Sequence, residues 1–312
     1  MSDGPDLVGA RARVAGLAWR TPALNVPALD QECGCEIWLK PECLQRTGSF
    51  KYRGATNAVR QLPEGTPGVV CISSGNHAQA VARAAHEAGI GCLAVMPIDS
   101  NPTKIAATAS YGADVEREGV TAENREQIGR LRAAERGWPL IHPFDDWDVI
   151  SGQATAGLEL LEDAPALDTI VTPIGGGGLL SGTALACAES SSRVEVWGAE
   201  PATGDDAHRS LAAGERVRLD RAPQTIADGV RTLQVGERPF SVLRDRCAGI
   251  ALVSEDELRE ALAVVWSRTK LVIEPTSALP IAAILAGAIP GRRIGVILSG
   301  GNVDAARVAG RL

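Results

Sequence analysis

At 312 residues, with 45% hydrophobic and 22% charged residues, the chain has room for two domains or one large one, and its composition is that of a globular protein with a sizeable core. A net charge of −7 without any run of Lys and Arg argues against a nucleic-acid surface, which needs clustered positive charge. No apolar stretch of about twenty residues is present to span a membrane, and the seven cysteines follow an amino terminus without a signal-like segment, so a reducing cytoplasm is the expected compartment.

Leu7, Ala10, Val14 and Leu17 recur at helical spacing and predict an amino-terminal helix, followed by a loop punctuated by Pro22 and Pro27. Cys33 and Cys35 have no second Cys or His pair at ligand spacing and read as core thiols rather than half a zinc site. Residues 36–40 read as a short strand, and the helical pattern over 53–61 puts Lys51 at a helix amino terminus. Burial beside Phe50 and the helix dipole both disfavour a protonated amine, which makes Lys51 the candidate nucleophile. Strand and helix then alternate: strand 68–72, helix 78–88, strand 91–96, helix 104–111, strand 114–116 and a charged helix over 122–136. This predicts a small α/β unit with parallel strands. Pro143, Trp147 and Gly152 mark the crossing into a second α/β region, with strand 169–174, a helix from Leu179, strand 194–199 and a last strand over 293–298.

Three loops follow apolar strands. Gly175, Gly176, Gly177 and Gly178 lie between a strand and a helix, where residues without Cβ let backbone N–H groups close around an anion. The loop lacks the Gly-Lys-Ser/Thr of a Walker motif and the third glycine of a dinucleotide loop, so it reads as a cradle for a phosphomonoester. Ser73, Ser74, Gly75, Asn76 and His77 offer hydroxyls and N–H groups suited to a carboxylate where an open sheet binds ligands. Ser299, with Gly300, Gly301 and Asn302, places a neutral hydroxyl at the end of the last strand. The stretch from Glu200 through Gly204 to Asp206 gathers three carboxylates, as a hard-cation site or as a solvated acidic loop. His86 and His208 read as surface or packing residues, and His142 as a loop histidine that nothing places near the chemistry.

In this order the motifs resemble the fold-type II pyridoxal-phosphate (PLP) enzymes, specifically the serine/threonine dehydratase group that also contains serine racemases and hydroxyaspartate dehydratases. The likeness covers about residues 21–304. It implies an α/β fold of two open α/β/α domains of tryptophan-synthase-β-like architecture, with the active site in the cleft between them: a discontinuous large PLP-binding domain (1–54 and 147–312) and a small α/β domain (55–146). By the same likeness Lys51 forms the Schiff base with the cofactor aldehyde, Phe50 packs at the ring, and Asn76 bonds the ring 3′-oxygen. Gly175 to Gly178 and Leu179 hold the phosphate, and Ser299 faces the pyridine nitrogen. Ser73, Ser74, Gly75, Asn76 and His77 hold the substrate carboxylate, with Ser74 resembling the acid or base on the face opposite the lysine. Glu200, the Gly204 carbonyl and Asp206 are implied to coordinate Mg²⁺ or Ca²⁺.

The implied reaction is β-elimination from a β-hydroxy amino acid such as L-threonine or L-serine, yielding a 2-oxo acid and ammonia in a homodimer. Serine racemase and 3-hydroxyaspartate dehydratase are alternatives within the group, although Ile72 stands where many serine racemases have a histidine. The run from Glu274 to Pro280 lacks the glycines common after this Glu-Pro, which implies a reshaped wall near the substrate side chain. A β-replacement synthase is a weaker match, since Ser49-Phe50-Lys51-Tyr52-Arg53 and the unbroken glycines favour elimination. An inactive cofactor-binding protein is disfavoured by the presence of Lys51 itself.

Overall fold

A computed structural model describes residues 3–190, 193–306 and 310. In chain order the elements are α1 (Leu7–Val14), β1 (Leu24–Asn25), α2 (Pro27–Cys33), β2 (Glu36–Pro41), α3 (Lys51–Val59), β3 (Gly68–Ile72), α4 (Asn76–Ala88), β4 (Gly91–Val95), α5 (Pro102–Ser110), β5 (Asp114–Glu116) and α6 (Arg125–Arg136). There follow β6 (Leu140–Ile141), α7 (Trp147–Asp163), β7 (Thr169–Pro173), α8 (Gly178–Glu189), β8 (Glu195–Pro201), α9 (Asp206–Ala213), α10 (Glu237–Arg246), β9 (Gly249–Val253), α11 (Glu255–Thr269), α12 (Pro275–Leu285) and β10 (Arg293–Leu298).

The strands form two sheets, one of six in the order β1-β2-β10-β7-β8-β9 and one of four in the order β5-β4-β3-β6. All pairings are parallel except that of β1 with β2. Helices cover both faces of a parallel sheet, so its central strands read as unbroken apolar runs. Gly68–Ile72 and Thr169–Pro173 are accordingly buried at every position. The expected alternation of strand and helix is present, with differences at the ends. Leu17 lies beyond α1, and the helix expected from 122 starts at Arg125 because the Asn124 side chain accepts from Thr121 N at 2.7 Å and holds a turn there.

Helix α3, which begins at Lys51, is fixed from two sides. Its Gly54 meets Gly152 of α7 so closely that a Cβ on Gly152 would collide with the Gly54 and Arg53 backbone. Gly182 of α8 approaches the α7 backbone at Ile150 and Ala154 in the same way. Beside this crossing lies a buried ion cluster. Arg53 Nε is 2.8 Å from Glu42 Oε2, Arg53 Nη1 is 2.8 Å from Glu159 Oε1, and Lys40 Nζ is 2.6 Å from Glu159 Oε2. Two cations and two carboxylates thus compensate one another and tie β2, the turn at Glu42–Leu44, α3 and α7 together.

Candidate active site

The carboxyl ends of strands in both sheets face one cavity of about 100 Å³. It gathers Phe50, Lys51, the run from Ser73 to His77, the run from Gly175 to Leu179, and Ser299, so every residue expected at the cofactor or the substrate carboxylate lines it. Lys51 and Ser299 meet because β2 and β10 are parallel neighbours: Phe50 N donates to Ser299 O at 3.0 Å.

Lys51 Nζ donates to Pro143 O at 2.7 Å and sits 5.1 Å from the centre of the Phe50 ring. Burial pushes its pKa down to about 8, with Arg125 adding to the effect and Glu274 opposing it. A lysine that sheds its proton near neutrality is suited to attack an aldehyde. His142 precedes Pro143, is buried, and accepts from Asp145 N at 2.8 Å; it shapes the wall against which Lys51 rests, a placement its loop position did not suggest. His86 and His208 are exposed, as expected. Burial drives the His77 pKa down to about 3, so the ring is neutral and donates from Nε2 to Ile141 O at 2.9 Å.

The glycine loop wraps the amino end of α8, twelve residues long. Gly177 has φ +90°, open to glycine at little cost, and a Cβ on Gly176 would enter the Phe144 ring. The dipole at this amino end of α8 favours an anion. Across the cavity, Ser299 Oγ is 3.0 Å from Ser277 Oγ. The Asn76 amide is oriented from both ends: Nδ2 donates to Glu274 Oε1 at 2.6 Å, and Oδ1 accepts from Asn302 Nδ2 at 3.1 Å.

Three charged residues of this cavity, Lys104, Arg125 and Asp228, were not singled out from the sequence, and a fourth, Glu274, was read only as the start of the Glu-Pro run near the substrate side chain. Lys104 Nζ bridges Asp228 Oδ2 at 2.9 Å and Glu274 Oε2 at 3.1 Å. Burial alone would lower the Lys104 pKa, but the two carboxylates outweigh it and hold it above its ordinary value. Arg125 donates from Nη1 to Ser74 Oγ at 3.3 Å. Burial and then the nearby Arg231 push its pKa down, while Glu126, Asp99 and Glu123 act on it only through space. The cavity therefore contains a partly buried guanidinium with no carboxylate of the described residues in hydrogen-bond contact.

Glu200, Gly204 and Asp206 lie apart from this cavity, at the end of β8 and the start of α9. Glu200 Oε1 accepts from His208 N at 2.7 Å, whereas Asp206 Oδ2 is buried with no partner among the described residues. Burial raises Glu200 to about 9 and Asp206 to about 7, and neighbouring carboxylates add to both. No group of three or more His, Cys, Asp or Glu side chains suited to a metal occurs among the described residues, so a cation here would rely on backbone carbonyl and water as well.

A buried amine of lowered pKa, a glycine cradle at a helix amino terminus and a neutral hydroxyl across from them fit pyridoxal phosphate, and the chain belongs to the pyridoxal-phosphate dependent enzyme family, whose model matches residues 14–300. It is 43% identical over 308 residues to an L-threo-3-hydroxyaspartate ammonia-lyase of Saccharomyces cerevisiae, covering 97% of this chain and 94% of the relative. A serine racemase of Dictyostelium discoideum is 42% identical, with 97% and 96% covered. Among solved structures, a threonine deaminase of T.th. superimposes with a TM-score of 0.92 at 49% identity, covering 96% of this chain and 97% of that one.

Proposed function

We propose that this protein eliminates water from a β-hydroxy α-amino acid to release a 2-oxo acid and ammonia, and that its substrates carry a second carboxylate, as 3-hydroxyaspartate does. The observation that carries the second half is Arg125, a partly buried guanidinium lining the cavity with no carboxylate of the described residues in hydrogen-bond contact. L-Serine and L-threonine would leave it unmatched, whereas a β-carboxylate would accept paired N–H groups from it. The hydroxyaspartate ammonia-lyase among the relatives supports this reading.

Pyridoxal phosphate, when bound, supplies an aldehyde to hold the substrate amine and a ring that withdraws electrons from the α-carbon. Lys51, Phe50, Asn76, Ser299 and the loop from Gly175 to Leu179 would hold it. Lys51 as a free amine takes the α-proton at Nζ, which its depressed pKa permits near neutral pH. The segment from Ser73 to His77 binds the α-carboxylate through backbone N–H groups and hydroxyls. Ser74, with Arg125 Nη1 on its hydroxyl, has the polarising partner a proton carrier needs, which favours racemisation as a second activity.

In this reading residues 1–54 and 147–312 carry the larger sheet and 55–146 the smaller one. The protein works in the cytoplasm as a homodimer. Glu200, Gly204 and Asp206 take Mg²⁺ or Ca²⁺, supported by the buried Asp206 Oδ2, which has no partner among the described residues. Chelation is then expected to lower the thermal midpoint, and Asp206→Asn to abolish that response.

The test is to assay 2-oxo acid and ammonia from L-threo-3-hydroxyaspartate, L-serine and L-threonine, alongside the absorbance spectrum of the protein with and without Lys51→Ala. Turnover fastest on the dicarboxylic substrate is expected. Turnover of serine and threonine alone would refute the substrate class, and a protein that acquires no visible band from pyridoxal phosphate would refute the whole reading.

A further inference from the structure

Arg125 reaches Ser74 because α6 lies close against β3, and one residue sets how close. Gly129 is buried in α6, one turn beyond Arg125 on the same face of the helix. A Cβ there would collide with Ile72 Cγ2. The backbone at Gly129 is ordinary helix, a position where alanine is the better helix former, so what the glycine contributes is the missing methyl.

Ile72 has little room to give way. It ends β3, pairs in register with Val95 of β4, and is buried. Its branch at Cβ also makes χ1 stiff. A methyl at position 129 therefore has to push α6 instead, and the far end of that helix is pinned. Arg132 holds Glu116 of β5 through two parallel bonds, Nε to Oε2 at 2.8 Å and Nη2 to Oε1 at 2.8 Å. Trp138, two residues past the helix, covers Gly68 and Gly91, where a Cβ on either glycine would enter its ring. A displacement at Gly129 is thus passed to the amino end, about 6 Å along the axis, where Arg125 stands.

Ile72 and Arg125 both line the Lys51 cavity, so the contact that fixes the depth of α6 also shapes the wall around the guanidinium. We propose that Gly129 is a positioning residue for substrate choice: its missing side chain seats α6 against Ile72 at the depth that brings Arg125 to Ser74 and to the cavity. The effect on turnover rests on the dicarboxylic substrate proposed above. The placement of Arg125 does not.

Crystal structures of the pyridoxal-phosphate-loaded wild type, Gly129→Ala, Ile72→Ala and the double variant test the seating, and kcat/KM for L-threo-3-hydroxyaspartate and L-serine reads its consequence. Gly129→Ala is expected to lose the contact between Arg125 and Ser74. Its preference for the dicarboxylic substrate should fall about tenfold or more, since a misplacement of about 1 Å can cost about 100-fold. L-Serine should change by no more than about threefold, the part owed to the bond with Ser74. Removing the Ile72 branch makes room for the new methyl, so in the Ile72→Ala background the same Gly129→Ala should keep the contact and change the preference by less than about twofold. The proposal is overturned if Arg125 stays on Ser74 in Gly129→Ala, if both substrates lose equally, or if the loss is as large with Ile72→Ala as without it. It is overturned too if Gly129→Ala no longer takes up the cofactor, which would make the glycine a packing residue for the fold at large. Arg125 displaced with the preference unchanged would leave the seating standing and refute the dicarboxylic substrate, so the two readings fail separately.

Discussion

Replacing Arg125 by glutamine keeps a polar side chain of similar reach but removes the charge and the paired donors. Hydrogen bonds between a charged group and its partner contribute about 1.5–3 kcal/mol. At about 1.36 kcal/mol per factor of ten, kcat/KM for L-threo-3-hydroxyaspartate should fall about 10- to 150-fold. L-Serine has no β-carboxylate, so its kcat/KM should change by no more than about threefold, the part owed to the lost bond with Ser74. The measurement is the ratio of the two kcat/KM values in wild type and variant, with the cofactor spectrum as a control for folding. Arg125→Lys should recover only part of the preference, because an ammonium cannot offer the planar pair of N–H groups. Equal losses on both substrates, or none on either, would refute the assignment.

Further expectations concern the lysine, the glycine loop and the ion cluster. Pyridoxal phosphate should load onto the apoprotein faster as pH rises through about 8, where Lys51 loses its proton, and level off above it; stopped-flow absorbance would show this, and a midpoint near the ordinary lysine value of about 10.4 would contradict it. Gly176→Ala forces the Phe144 ring to move and should weaken pyridoxal-phosphate retention, measured by equilibrium dialysis, at a cost of about 1–3 kcal/mol of overpacking. Glu42→Ala leaves Arg53 buried beside Lys40 with only Glu159 to balance both, and should destabilise the fold by about 3–5 kcal/mol in urea titrations at fixed cofactor concentration.

Much of the site was legible because its chemistry sits at strand ends. Residues 68–72, 114–116 and 293–298 were read from the sequence with the bounds they have in the structure, and the loops after the first and last of these carry Ser73 to His77 and Ser299. The helices α7 and α12 were not read, for a shared reason: each is buried along much of its length, so no polar face marks its period, and Gly152, Gly157 and Pro280 interrupt the helical composition. Lys104 and Arg125 were missed because a charged residue in a helical stretch ordinarily marks a solvated face. Only the packing of α5 and α6 against the cleft turns those two side chains inward. Glu274 did leave a trace, as a single carboxylate directly after Leu271, Val272 and Ile273, where a solvated residue was not to be expected.

The pairing of β2 with β10 has a consequence for how the protein comes into being. Residues 36–41 and 293–298 are neighbours in the sheet, and Lys51 faces Ser299 across their ends. A ribosome adding about 5–20 residues per second makes the lysine segment tens of seconds or less before the last strand, but the strand cannot be inserted until it has left the exit tunnel. Until then the central place in the larger sheet, between β2 and β7, stands empty and the cofactor chamber lacks a wall. Retention of pyridoxal phosphate is therefore a report on chain completion, and a nascent or truncated chain without β10 would carry the reactive lysine without the means to hold the cofactor against it.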